Sequence, residues 1–132
     1  MMWRKSRPHR SGQCRIDIGG EVWAEFEVGV IETGRQRVYA ATYLKITMSE
    51  GRVWIGEDRW SPLVALHDVA GQIECDGGML MCAGLDPRFY ESGLSQHTGH
   101  GYIEGWPAAL HMMEPSPHHT ASTSSTFDAG IR

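Results

Sequence analysis

Between Trp60 and Leu85 a start signal, a period and a stop signal coincide, and this stretch limits what the rest of the chain can be. Ser61 followed by Pro62 is a helix opening, a hydroxyl cap and then a proline at the first helical position, where its missing N–H costs nothing. Leu63, Leu66, Ala70 and Ile73 recur at three- and four-residue steps, while Asp68, Gln72 and Glu74 fall largely off that stripe. Gly77 and Gly78 end the pattern, which predicts a helix over about 61–76. Met79, Leu80, Met81, Cys82 and Ala83 follow without alternation, which predicts a strand buried on both faces.

Upstream, the period changes from helical to two. Ala24, Phe26, Val28 and Val30 are apolar at even positions, with Trp23, Glu25 and Glu27 at odd ones. Residues 37–48 repeat this, with Val38, Ala40, Leu44, Ile46 and Met48 even and Tyr39, Tyr43, Lys45 and Thr47 odd. A loop centred near Gly34 predicts a hairpin in which Phe26 faces Thr42 and Ala24 faces Leu44, while Trp23 meets Lys45, Glu25 meets Tyr43 and Glu27 meets Ala41. Ile16 and Ile18 make a short strand before it, and Val53, Trp54 and Ile55 make another after the turn at Ser49 to Gly51. Past the helix, Tyr102 to Glu104 reads as a last short strand and residues 107–113 as a brief helix after Pro107. The fold class is α+β: an antiparallel meander of three or four strands, one packed helix, then one or two further strands.

A chain of 132 residues makes one domain. Residues 1–13 lack a period and read as a flexible basic leader, 14–113 as the domain, and 114–132 as a polar Ser/Thr/His/Pro tail that cannot build a core. The net charge of −4 hides an asymmetry. Arg4, Lys5, Arg7, Arg10 and Arg15 precede any acid, leaving 16 acids against 7 bases in the body. An acidic body disfavours nucleic acid and favours a basic protein partner. No uninterrupted apolar run approaches the roughly 20 residues of a membrane span. Cys14, Cys75 and Cys82 form no CxxC pair, and no export signal precedes them, so reduced thiols in the cytoplasm are expected.

Motifs for chemistry are sparse. His97 and His100, with Asp86 or Glu91, could serve a small metal-dependent hydrolase, but they sit among glycines with no HExxH and no paired CxxC. Cys82 lies in an apolar run that disfavours a thiolate. No nucleophile elbow, P-loop or dinucleotide fingerprint is present, and no cofactor is expected. The odd face of the hairpin is distinctive instead: Trp23, Tyr39 and Tyr43 stand with Glu25 and Glu27, and Glu57 and Asp58 follow the next strand. Aromatic anchors among carboxylates suit a surface for a basic partner. The competing reading covers that face with the C-terminal segment or with a second copy of the chain as a homodimer.

The segment Ser92 to Gly101, preceded by the helix, the apolar strand and Asp86 to Tyr90, resembles a stretch of small bacterial immunity proteins from contact-dependent inhibition and other polymorphic toxin systems. The resemblance covers about residues 63–105 and implies a cytoplasmic protein that binds and blocks a cognate toxin domain without catalysis. The expectation is therefore a protein-binding inhibitor whose contact set is Trp23, Glu25, Glu27, Tyr39, Tyr43, Glu57 and Asp58. The alternatives are the metal-dependent hydrolase and a structural subunit of a phage or secretion assembly.

Overall fold

The structure is a computed structural model, and it describes residues 3–92 and 98–117. A curled antiparallel sheet carries the fold. Its strands are β1 (Arg4–Asp17), β2 (Glu21–Thr33), β3 (Val38–Met48), β4 (Val53–Asp58) and, after helix α1 (Pro62–Cys75), β5 (Met79–Met81). Their spatial order is β4-β3-β2-β1-β5. The helix thus carries the chain from one edge of the sheet to the other. A 3-10 turn at Ala83–Leu85 leads to a second, three-stranded sheet, β6 (Phe89–Glu91), β7 (His100–Ile103) and β8 (Leu110–His111), ordered β6-β7-β8. The architecture is α+β.

The helix forms where the sequence signals stand. The Ser61 hydroxyl accepts from the Val64 N–H at 3.1 Å, and Asp76 closes the other end. Pro62, Ala65, Leu66, Val69, Ala70 and Ile73 are buried against the even face of the sheet, with Ile16, Val28, Leu44, Ile46 and Trp54. Two hydrogen bonds fix its seat: Trp54 donates its indole N–H to Asp76 at 2.8 Å, and Gln72 donates to the Ile55 carbonyl at 2.8 Å. The small sheet adds Phe89, Ile103 and Leu110 to the same core, and the turn after it adds Met112 and Met113. No described helix is long and apolar enough to cross a membrane.

Several sequence expectations are corrected. The leader read over residues 1–13 is, from Arg4 onward, the first ten residues of β1, paired with β2 from Arg4↔Thr33 to Gln13↔Glu25. Both faces of this stretch are exposed, so it carries no hydrophobic period, and the backbone ladder holds it. A bulge between Pro8 and Arg10 interrupts that ladder where proline has no N–H to offer. The hairpin register also differs: Phe26 pairs with Ile46, Ala24 with Met48, Glu25 with Thr47 and Glu27 with Lys45. The turn extends to Arg37, which adopts φ 55 and displaces the pairing by three residues at Thr33↔Val38, and the irregularity between Ile31 and Glu32 adds a fourth. From Ile31 back to Ala24 the shift is therefore even, which changes every partner and keeps every face.

The apolar run after the helix is a three-residue edge strand, with Met79 exposed, and Cys82 and Ala83 are buried by the turn that follows. Residues 107–113 hold strand β8 rather than a helix. Glu114 to Ser116, read as the start of the tail, pack on the fold: Ser116 is buried and its hydroxyl donates to Asp86 at 3.3 Å. Residues 118–132 of that tail lie outside the described residues.

Candidate interaction surface

Alternation along β2 and β3 sends odd-numbered side chains away from the helix. Across the four-stranded part of the sheet they line up in rows: Gln13, Glu25, Thr47 and Val53 in one, Ser11, Glu27, Lys45 and Ile55 in the next. Between the first three strands the curl leaves a polar cleft of about 440 Å³, lined by Ser11, Gln13, Glu25, Glu27, Lys45 and Thr47. Trp23 stands at the end of this face, 58% exposed, with the Arg15 guanidinium 5.7 Å from its ring centroid. Glu21 holds Arg15 in place at 2.7 Å. Val53 and Ile55 on the edge strand are 44% and 48% exposed.

The seven residues expected to form one contact surface divide. Trp23 and Glu25 are exposed on the outward face, as their parity requires. Glu27 shares that face, but its carboxylate accepts the Tyr43 hydroxyl. Tyr43 is only 4% exposed, and burial followed by the Glu27 carboxylate pushes its pKa up. It is a packing residue with a satisfied hydroxyl, so it is withdrawn from the contact set.

Tyr39, Glu57 and Asp58 gather elsewhere, along a shallow groove of about 570 Å³ that also includes Arg59. Glu57 is paired with Arg4 at 2.7 Å. Asp58 accepts from the backbone N–H groups of Trp60 and Ser61 at 2.9 and 2.8 Å, which lowers its pKa and turns the chain into the helix. Tyr39 donates to the Arg59 carbonyl at 2.6 Å and its ring lies 6.2 Å from that of Trp60, over which Arg59 sits at 5.1 Å. Four residues missed from the sequence belong to these surfaces. Lys45 shares the parity of Glu27 and could have been placed by it; Val53, Ile55 and Trp60 give no comparable sign.

The charge asymmetry along the chain folds out in space. Arg4, Arg7, Arg10 and Arg15 pair with Glu57, Glu32, Glu114 and Glu21, so the basic segment lies against acids of the body. These pairs are largely exposed and individually weak, but they remove much of the free acidity that the linear reading assigned to the body.

The histidine reading also changes. Asp86 serves Arg88 and Ser116, and Glu91 accepts from the Ser61 hydroxyl at 2.8 Å beside the helix start. His100 instead meets Thr98 at 3.1 Å, and its ring centroid is 5.1 Å from that of buried His111. His97 lies outside the described residues. Among the described residues no three His, Cys, Asp or Glu side chains form a group able to hold a metal ion. Cys14 and Cys82 are buried, and desolvation pushes both thiols up to about 12. Comparison with known proteins finds no matching family model, no matching curated protein and no matching solved structure.

Proposed function

We propose that this chain is a non-catalytic protein-binding inhibitor of the immunity type, which neutralises a basic toxin domain in the cytoplasm by covering it. The observation that carries this reading is the outward sheet face, where exposed Trp23 and Glu25 flank a polar cleft and Val53 and Ile55 lie on the adjoining edge. A rigid indole is an economical anchor, since its large area is ordered at low conformational cost. Glu25, in the lining of the cleft, meets a cation of the partner and speeds encounter. The net charge of −4 and the resemblance of residues 63–105 to immunity proteins support the same partner class.

The test is binding of the full chain to the product of the neighbouring gene, measured at low and high salt. Trp23→Ala should raise Kd by roughly 30-fold or more, the effect of truncating an aromatic anchor. Glu25→Lys should slow association at low salt and lose that effect at high salt. Unchanged Kd and unchanged salt dependence in both variants would show that this face is not the contact.

A further inference from the structure

We propose that Cys14 and Cys82 are a latent disulfide, a redox modification site at which a low-molecular-weight disulfide such as oxidised glutathione joins the first strand to the fifth. The proposal goes beyond the binding reading and does not depend on it. It begins with register. Strands β1 and β5 pair as Asp17↔Met79, Ile16↔Leu80 and Arg15↔Met81, and the same register carried one step further would set Cys14 opposite Cys82. The backbone at Cys82 is still extended, φ −160 and ψ 167, so strand geometry continues through that residue although the ladder ends at Met81.

Parity then places both thiols on one side. Cys14 and Cys82 alternate in step with Ile16 and Leu80, and all four are buried, at 4%, 0%, 0% and 4% exposure. Directly opposed residues of an antiparallel pair have Cα atoms about 4.5–5.5 Å apart, inside the roughly 4.4–6.8 Å range that disulfides span. Cβ atoms of such opposed residues stand about 4.5–5.5 Å apart, so those of Cys14 and Cys82 would have to approach by up to about 1 Å for the bond to close. An independent sign of proximity is that the Cys14 thiol acts electrostatically on Cys82. Cys75, by contrast, is exposed at the last residue of the helix.

The step balances as ordinary exchange. The thiolate of Cys14, the less enclosed of the two, attacks one sulfur of glutathione disulfide and releases one glutathione. Cys82 then displaces the second glutathione from Cys14. One small disulfide is reduced to two thiols, two protein thiols are oxidised to one disulfide, and both protons end on glutathione. Burial holds both thiols in the protonated form, so exchange in the closed native state is slow and the bond forms during folding or when the β5 edge opens. Because the 3-10 turn and the whole second sheet follow Cys82, the bond ties that sheet's chain to β1 and closes a loop of about 68 residues.

The test uses the full chain carrying Cys75→Ser, unfolded and refolded in a glutathione redox buffer, then alkylated under denaturing conditions. Expected are loss of both remaining thiols, an intact mass lower by two hydrogens, a linked peptide pair containing Cys14 and Cys82, and a urea midpoint that falls when dithiothreitol is added. The wild-type chain treated in the same way should give the same linked pair with Cys75 alkylated, which covers failure of the variant to fold. Two alkylated thiols after refolding in excess glutathione disulfide, glutathione adducts only, or crosslinks through Cys75 or between chains would overturn the proposal.

Discussion

The guanidinium of Arg4 lies 2.7 Å from the carboxylate of Glu57, although β1 and β4 are separated by two intervening strands. In a flat sheet those backbones would run about 14 Å apart, at roughly 4.8 Å per strand. They are offset along the sheet as well, since Arg4 pairs with Thr33 while Glu57 pairs with Tyr43 and, through it, Gly29. The contact therefore requires the sheet to curl until the start of β1 approaches β4. Tyr43 lies in the same fold of the sheet: Ser6 on β1 and Glu27 on β2 both bond to its hydroxyl. Gly29, the residue opposite Tyr43, has room for no Cβ, because one would strike the Arg7 carbonyl and the Pro8 Cα on β1.

Deleting residues 1–13 removes ten of the fourteen residues of β1, a stretch paired with β2, rather than a loose leader. The β2 residues from Glu25 to Thr33 lose their ladder partner, and the ion pairs of Arg4, Arg7 and Arg10 vanish. The expected cost is several kcal/mol, comparable to the whole stability of a small domain. Arg4→Ala alone should cost less than about 1 kcal/mol, because both partners are exposed. Urea unfolding followed by circular dichroism separates the two. An unchanged midpoint in the truncated chain would return these residues to the status of a leader.

Tyr43→Phe should lower stability by about 1–2 kcal/mol while leaving partner association untouched. The substitution strips a part-buried Glu27 oxygen of its donor, and an unsatisfied carboxylate costs more than the hydrogen bond itself contributed. Parallel denaturation and binding measurements decide the matter. A binding defect in a fully stable Tyr43→Phe chain would restore this residue to the contact surface.

Two glycines should respond to alanine with opposite sign. Gly56 on β4 lies under the helix, where a Cβ would run into the Ala65 carbonyl oxygen and approach Val69 Cγ2 at 2.9 Å. The helix would have to lift, at about 1–3 kcal/mol. Gly71 lies within α1 with nothing within 4 Å of its added Cβ. There alanine should stabilise by about 1 kcal/mol, because it relieves the conformational cost of glycine in a helix. Thermal unfolding of the two variants tests helix seat and helix propensity separately.

The elements legible in the sequence are those whose cause is local or periodic. Ser61, Pro62 and the glycine pair announce the helix, and alternation in β2 and β3 assigns their faces correctly even though the register is displaced. The first ten residues of β1 were invisible because neither of their faces is buried, and a strand held by its backbone leaves no pattern in side chains. The displacement traces to Arg37, a non-glycine residue at positive φ that nothing in the sequence marks as a turn residue, and to the irregularity between Ile31 and Glu32 that brings the shift to an even number. At the candidate site, Trp23 and Glu25 follow from parity. The burial of Tyr43 and the pairing of Glu57 come from the curl, which depends on contacts between strands distant in sequence and has no signature along one strand.

His111 should make the fold acid-sensitive above the range in which carboxylates titrate. Its Nδ1 accepts from the Met113 N–H at 3.1 Å, so the neutral ring carries its proton on Nε2. Charging it places a second proton where that N–H already donates, in a side chain with no solvent exposure. Burial first, then Arg10 and His100, lower its pKa from 6.5 to about 3. His9 adds to the repulsion, and Glu114 is occupied by the His111 backbone N–H and lies 3.9 Å from Arg10. Between those two pKa values the unfolded chain binds a proton that the folded chain does not. The contribution of His111 is therefore complete above about pH 6.5 and declines as the pH falls toward about 3. The slope is at most about 1.4 kcal/mol per pH unit. Urea titrations at successive pH values should show His111→Gln flattening that slope between about pH 6 and pH 4. Equal slopes in the wild-type and His111→Gln chains would mean that His111 is protonated as readily in the folded state as in the unfolded one.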